Sequence, residues 1–600
     1  MSNNCRTLDM GDKANKTYLL LLAGAFILGA CLRLYLLQGQ ILLDDEWHGL
    51  SFIKNRSFLE VITQSKLNPY SSPLLNAYLF LCYHGAGVSE WNMRLPLLSA
   101  GCAMVVILPL LVRKIVPERA GIIFSYLLAV SPFLVFYSRF SRTYILIPLL
   151  SFLGLIAAFR WASSGKRACA ALFVLASTAA AYAHPSAVAM GAAPYAALAA
   201  ISLYKQYGGR ASAAWALAIP PGETLAVMLV HGVSLFAAVF NYAFNRAGVP
   251  LNAPEFSGID ILNILELISG TAAGAAAAVF FGLALFGCLR LHRYERSLAA
   301  LLYSGVLVSI VFVLFFNPGG INCSAIFLRY CIAIIPLILL CAAVGFHELL
   351  EELEKRTAPP LLRRVLPASC ICTAVFVLYV KGPLPVIYRA PNNFTGHLAF
   401  QGSYEYGHWS RSRSNHFLGS HEISRGEIPE FYRRLAADPA ARAIIEYPFD
   451  FADHSNLLYF YQLEHRKRVF AGYCSVPGLI FLSVSDAMGA RIKSEKLTLA
   501  YTRPDFFLNS AAVKSRTLFR NMVDLADEKE VLRSAADYLV LHKMISSVYI
   551  KGRESGNFLL YDRSVLLFSE HYKRLLGKPV YEDGELIVFR LPGSAGAGPS

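Results

Sequence analysis

A chain of 600 residues that is 56% hydrophobic and only 16% charged is excluded from the ordinary soluble class, where about a quarter of residues are charged. The deficit lies before about residue 390, where long apolar runs recur, so a membrane part of about two-thirds precedes a soluble part of about one-third. The net charge of +15 sits largely in short links between apolar runs, the positive-inside pattern, which removes nucleic acid from the expected partners.

A span needs about 20 apolar residues, and on that rule about eleven are predicted: 17–37, 92–112, 120–138, 143–161, 168–183, 185–204, 212–240, 267–289, 297–316, 327–347 and 366–386. No small-residue cleavage pattern follows the first, which reads as a retained anchor. His184-Pro185 divides the fifth from the sixth, since proline ends one helix and starts another.

Alternate links carry Arg113, Lys114 and Arg119; Arg160, Lys166 and Arg167; Lys205 and Arg210; Arg290, Arg293 and Arg296; and Lys355, Arg356, Arg363 and Arg364. The charge rule makes that side cytoplasmic, together with the amino terminus. The first loop (38–91), the 138–142 turn, the loops near 241–266 and 316–327, and the carboxy-terminal part fall on the other side. Within those outer links, 46–53, 58–65, 73–84 and 259–267 carry apolar residues at helical spacing and read as surface helices roofing a cavity.

The soluble part mixes elements. Strands are predicted at 442–447, 538–542 and 585–591, and helices at 428–436 and 529–536. No nucleotide-binding glycine pattern, Walker motif or internal repeat is present. The twelve cysteines are scattered, mostly inside apolar runs, with neither metal-type spacing nor a disulfide framework. The expected fold is therefore a polytopic α-helical membrane protein with a carboxy-terminal extracytoplasmic mixed α/β domain, divided as 1–389 and 390–600.

Three acids, Asp44-Asp45-Glu46, follow the first span, within the phrase Asp45-Glu46-Trp47-His48-Gly49. Acids at a membrane boundary usually mark a working site. A carboxylate there is a reasonable general base for a hydroxyl acceptor; a solvated acidic turn capping the next helix is the plainer alternative.

With this phrase the chain resembles the lipid-linked-sugar glycosyltransferases of the GT-C class, in particular the protein O-mannosyltransferases and the bacterial aminoarabinose transferases of lipid A. Those enzymes place an Asp-Glu pair on the first outer loop, and the mannosyltransferases follow it with a His after one residue, which His48 matches. Further phrases fit in order and sidedness: Arg33 near the end of the first span, Pro73 in the first loop, Arg94-Leu95-Pro96, Ser138-Arg139, Arg142-Thr143-Tyr144, His184, and Arg329-Tyr330 with Pro336. The resemblance covers essentially 17–347.

It implies a GT-C-like membrane domain and a polyprenyl-phosphate-linked sugar donor. It also implies a lipid, glycan or protein acceptor and a multi-pass protein of a bacterial inner membrane. Asp45 aligns with the base, with Asp44 and Glu46 beside it. Arg94, Arg139, Arg142, Arg329 and Arg246 are the expected donor-phosphate contacts, and His48, Tyr144, His184 and Tyr330 the expected substrate contacts. Two departures stand out. The acidic run has three members, which keeps Asp44 open as the base, and the 138–142 turn carries arginines where some relatives place an acid. No cofactor is expected, and with no second carboxylate cluster at metal spacing, no metal.

Plainer roles stand beside these. Arg94 can snorkel at the start of its span, Arg139 and Arg142 flank a tight turn, and His184 ends a helix. The rival functions are a transporter of lipid-linked sugars, which places ionisable groups near the bilayer midplane, and a non-catalytic envelope assembly protein.

Overall fold

A computed structural model describes residues 2–35, 37, 46, 50, 53, 56–63, 72–206, 221–246, 261–271, 273–316, 324–356, 384, 428–447, 461–462, 464–469, 481–483, 524–526, 532, 536–542, 569 and 572–592. Contacts divide the chain into two compact units. One comprises Met1–Leu37, Asn55–Arg389 and Phe400–Ser414, the other Gln38–Lys54, Ala390–Ala399 and Asn415–Ser600.

The first unit is helical. Among the described residues six helices are long and apolar enough to cross a membrane: Asn15–Leu34, Glu90–Val112, Thr143–Ser164, Gly274–Tyr294, Arg296–Leu314 and Ile332–Arg356. A bent pair, Glu118–Val130 and Pro132–Ser138, makes a seventh, while Arg167–Ala183 and Gly222–Ala238 are apolar but shorter. The eleventh expected span, 366–386, lies outside the described residues apart from Leu384.

Helix α1 (Ser2–Leu34) shows how these segments pack. Tyr18, Leu22, Ala25, Gly29 and Arg33 form a buried stripe at helical spacing, while Leu19, Leu20, Phe26 and Ile27 are exposed. That is the pattern of a helix with one face on protein and the other on lipid. Two short helices follow. In α2 (Phe58–Thr63) the sequence Ser57-Phe58-Leu59-Glu60 is a capping box: the Ser57 N–H donates to Glu60 Oε2 (2.7 Å) and the Glu60 N–H to Ser57 Oγ (3.3 Å). In α3 (Pro73–Leu81) Ser72 is the N-cap and Pro73 takes the first helical position. A π-turn, Cys82–Ala86, extends α3. Helix α4 (Glu90–Val112) starts on a Ser89 cap.

Helices α5 (Glu118–Val130) and α6 (Pro132–Ser138) meet at 58° within the expected 120–138 span. Pro132 has no N–H for the carbonyl of Leu128, four residues back, and its ring breaks the helix. Arg33 replaces the missing donor. Its Nη2 donates to Leu128 O (3.2 Å), its Nη1 to Ala129 O (3.1 Å) and Gly29 O (3.0 Å), and its Nε to Ser138 Oγ (3.1 Å). Gly101 on α4 makes room: a Cβ there would stand 2.1 Å from Ser138 Oγ and 3.0 Å from Arg33 Nε.

The remaining helices are α7 (Leu146–Ser164), α8 (Arg167–Ala183), α9 (Val188–Gln206), α10 (Pro221–Arg246), α11 (Ile261–Ser269), α12 (Gly274–Tyr294), α13 (Arg296–Phe316), α14 (Ser324–Tyr330) and α15 (Ile335–Arg356). The predicted span 267–289 is corrected here: Gly270, at φ 77°, closes α11, and the spanning helix begins at Gly274. α12 and α15 cross with backbones in contact, Gly287 facing the Cys341 carbonyl and Gly345 facing the Leu283 carbonyl.

The bundle has two chemically distinct ends. At the lower end, where α4 finishes, the basic links are met by acids and polar groups. Arg113 bonds Glu118 (2.6 Å) and Asn15 (2.9 Å), Arg119 bonds Glu354 (2.8 Å), and Arg290 lies 3.2 Å from Glu348. At the upper end, where α1 finishes, the turns between α6 and α7, between α8 and α9, and between α14 and α15 come together.

The second unit contains a five-stranded sheet in the order β2-β1-β5-β7-β6. Its strands are β1 (Ala443–Tyr447), β2 (Arg468–Val469), β5 (Tyr538–His542), β6 (Tyr581–Glu582) and β7 (Leu586–Arg590); a separate antiparallel pair is β3 (Phe481–Ser483) with β4 (Asp524–Ala526). β1 runs parallel to both β2 and β5, and β7 antiparallel to β5 and β6. The three predicted strands and the first predicted helix (here α16, Glu430–Ala437) are present. Of the 529–536 helix, only Leu532 and Ala536 are described.

Under the sheet lies a polar core. Tyr432 donates to Glu446 Oε2 (2.8 Å), His542 Nε2 bonds the same oxygen, and Tyr461 stacks on Tyr432 at 4.4 Å. His465 Nδ1 accepts the Lys467 N–H (3.0 Å). Burial, reinforced by the Lys467 charge, lowers the pKa of His465 from its ordinary 6.5 to about 3. An unfolded chain therefore takes up this proton near pH 6.5 and the folded one does not until near pH 3, so stability is lost as pH falls through that window. The full loss is roughly 5 kcal/mol. Tryptophan fluorescence or hydrogen exchange of the full chain against pH measures it. The acid slope should flatten in His465→Asn, whose side-chain oxygen can take over the bond from the residue two ahead.

Candidate active site

The upper end assembles around the turn between α6 and α7. Residues 138–143 are all buried, and each anchor goes to a different helix. Arg139 Nη1 donates to the carbonyls of Leu32 (3.3 Å), Arg33 (2.9 Å) and Tyr35 (2.5 Å) at the end of α1. Ser141 donates to Met93 O on α4 (2.9 Å), and Thr143 to Ala183 O at the end of α8 (2.7 Å). Inside the turn the Arg142 N–H closes on Phe140 O (2.7 Å).

The anchored turn presents Tyr144, which lies in the short 3-10 segment Thr143–Ile145 ahead of α7. Its ring is 5.2 Å from that of Tyr137 and 5.4 Å from that of His184. His184 in turn lies 5.3 Å from Tyr330. The Arg329 guanidinium sits over both tyrosines, 5.0 Å from the Tyr144 ring centre and 5.5 Å from that of Tyr330. Cation–π attraction on two faces orients this charge while leaving it 9% exposed. His184 Nδ1 accepts the Ser186 N–H (3.2 Å), so in the neutral ring the proton is on Nε2 and that nitrogen is a donor.

Four residues singled out from sequence, Tyr144, His184, Arg329 and Tyr330, thus form one contiguous group, and Arg139 and Arg142 lie on the turn just ahead of Tyr144. Arg94 belongs to the same end through its neighbour Met93. It is wholly buried, one turn after Glu90, also wholly buried, which places the two on one helix face with the acid on the favourable amino-terminal side. Arg139 directs Nη1 at helix-end carbonyls, a capping geometry. Asp44, Asp45 and His48 lie outside the described residues, as does the side chain of Arg246 at the end of α10. Glu46 is helical and fully buried, as are Leu50 and Ile53; these three belong to the second unit.

The structure adds residues that sequence reading did not place in the site. Ser138, Ser141 and Thr143 anchor the turn; Ser138 and Thr143 stood within the matching phrases but without a role, and Ser141 was not singled out. Glu90 had a usable signal, an acid four residues ahead of Arg94 at a predicted helix start. Inside the bundle, His231 on α10 is fully buried and bonds Ser177 Oγ (2.7 Å) and Tyr195 OH (2.8 Å). Ser177 gives its proton to Phe173 O (2.5 Å), so His231 Nε2 must donate to Ser177 and Nδ1 accept from Tyr195. Every proton in this set is committed, and the histidine joins α8, α9 and α10 as neutral polar glue.

Among the described residues one group has metal-ligand spacing: His347, Glu348 and Glu351, with ligand atoms within 4.8 Å of one another. It lies at the lower end, and its acids are engaged by Arg290, Tyr294 and Lys355.

No protein-family model matches the chain, and no curated protein matches its sequence. The solved structures to which the chain is similar include these three. ArnT from Cupriavidus metallidurans in the apo state is 12% identical with a TM-score of 0.46, over 98% of this chain and 100% of that one. The same protein bound to undecaprenyl phosphate is 13% identical at 0.46, over 98% and 100%. The Archaeoglobus fulgidus oligosaccharyltransferase tethered with an acceptor peptide is 12% identical at 0.44, over 96% and 88%. All three scores are below 0.5.

Proposed function

We propose that this chain is an integral membrane glycosyltransferase that moves one sugar from a polyprenyl-phosphate carrier to a hydroxyl acceptor at the non-cytoplasmic face of a bacterial inner membrane. The observation that carries the reading is the convergence of Arg142, Tyr144, His184, Arg329 and Tyr330, from three separate turns, at the end of the bundle opposite the basic links. By the charge rule the basic links face the cytoplasm, so the group faces outward.

The chemistry follows from charge. The carrier's phosphate is the leaving group and gains negative charge as the bond between the anomeric carbon and the phosphate oxygen breaks. A guanidinium held by aromatic faces, with its donors set before the reaction, stabilises that charge without reorganising. Arg329 and Arg142 take this role, with Arg246, the last residue of α10, as a third contact. Tyr144, Tyr330 and the Nε2 donor of His184 contact the sugar. Asp45 on the first loop takes the acceptor's proton as its oxygen attacks from the opposite side, so the anomeric configuration inverts.

The test uses the full chain in lipid nanodiscs with radiolabelled polyprenyl-phosphate sugars and a membrane-lipid or glycan acceptor fraction. Labelled acceptor is expected from the lipid-linked donor and none from the sugar nucleotide. Arg329→Gln is expected to weaken donor use by about 100-fold, the scale of one lost charge-assisted contact. Transfer from the sugar nucleotide, or flux of intact lipid-linked sugar with no transfer, would overturn the proposal.

A further inference from the structure

Arg33 is a charge wholly buried in the first span, and the reaction above makes no use of it. Its Nε, Nη1 and Nη2 donate to three carbonyls and one hydroxyl. It has no exposed surface, so it cannot touch a donor phosphate. What it touches is the α5–α6 bend, on both sides of Pro132: two carbonyls of the last turn of α5, and Ser138, the last residue of α6.

Arg139 runs the other way. It leaves the turn that follows α6 and bonds three carbonyls at the end of α1, one of them the carbonyl of Arg33 itself. The two arginines therefore cross between the same two elements in opposite directions. Each places its charge at a helix carboxyl end, where the backbone dipole favours a cation. Each also satisfies carbonyls that helix termination leaves without partners. The Ser138 hydroxyl, which donates onward to Leu134 O (2.6 Å), and the bare Gly101 surface complete the fit.

We propose that Arg33 and Arg139 are a reciprocal pair of positioning residues that lock the Ser138–Arg142 turn onto the end of α1 and so hold Arg142 at its place in the site. The inference rests on the proposed function only for what Arg142 does; the lock itself stands on the geometry. Neither arginine has to meet the substrate.

Amide exchange and donor kinetics test it together, on the full chain in nanodiscs, with Arg33→Gln, Arg139→Gln and the double variant. Exchange across 138–145 is expected to rise about tenfold in each single variant, with α7 and α8 unchanged. The double variant should add little to either, because both changes open one contact. The donor KM should rise about tenfold with kcat within about threefold, since the reacting groups are intact, and Arg33→Lys should recover part of the loss. If Arg33→Gln does not fold, Ser138→Ala removes one of its acceptors and gives the same readout. Unchanged exchange at the turn, or full additivity in the double variant, overturns the lock. A fall in kcat at constant KM overturns the positioning role in favour of direct participation. Absence of transfer by the wild-type chain would count against the proposed function alone, because the exchange result is independent of activity.

Discussion

Asp45→Asn is expected to cut sugar transfer on the order of 1,000-fold while donor binding stays within about threefold, the signature of a lost general base. Asparagine keeps the shape of the side chain and its hydrogen-bonding capacity but cannot accept the acceptor's proton. The arginines and aromatic groups at the end of the bundle would still hold the donor phosphate. Two parallel variants separate the acids. Asp44→Asn should leave most of the rate if Asp45 is the base; a loss confined to Asp44→Asn moves the role by one residue. Glu46, buried like Leu50 and Ile53, belongs to a packed helical stripe, so Glu46→Gln should cost stability more than rate. Single-turnover transfer from a labelled lipid-linked donor, with donor affinity measured separately, distinguishes these outcomes. A normal rate in Asp45→Asn removes the base assignment.

The local signals in the sequence were good guides to where elements start. Ser57-x-x-Glu60 and Ser72-Pro73 each mark a helix start by a mechanism that acts within a few residues. The strands at 443–447, 538–542 and 586–590 were legible because a strand buried in a sheet core is a short, predominantly apolar run. Two boundaries were missed for the opposite reason. Hydropathy runs smoothly through Pro132 and through Gly270, so an average over about 20 residues joins what a missing donor or a left-handed glycine divides. The site was legible as a set and not as contacts. Order and sidedness brought Arg142, Tyr144, His184, Arg329 and Tyr330 to one end of the bundle, but which of them touch depends on how separate turns meet. Arg139 is the clearest case. In sequence it is one more cation on an outer turn. It bonds backbone carbonyls at the end of the first helix, roughly 100 residues away, and no local pattern encodes them. The buried group of Tyr432, Glu446, His465 and His542 went unread for the same reason, being assembled from four distant segments.

The largest effect on folding is expected at the crossing of α12 and α15. A Cβ on Gly287 would stand 1.8 Å from the Cys341 carbonyl oxygen and 2.5 Å from the Gly345 nitrogen; one on Gly345 would stand 1.9 Å from the Leu283 carbonyl oxygen. These neighbours are backbone, so no rotamer change relieves the clash, and the helices must move apart. Membrane helices gain little from burying apolar surface against each other, because lipid is equally apolar, and depend on such close packing for their association. Gly287→Val or Gly345→Val should therefore cost about 3 kcal/mol or more, the upper end of overpacking penalties, read as a large drop in thermal midpoint in detergent. Gly232→Ala and Gly282→Ala, where an added Cβ meets nothing within 4 Å, should be neutral or slightly stabilising in their helices. The two clashes share one gap: once the axes separate for the first, the second has room. Gly287→Ala with Gly345→Ala should thus cost clearly less than the sum of the single changes. The displaced helix α15 follows directly on Arg329 and Tyr330, so any folded fraction of these variants should also bind donor phosphate more weakly. Wild-type stability in Gly287→Val, or strict additivity of the two alanines, would mean that the crossing is looser than these distances describe.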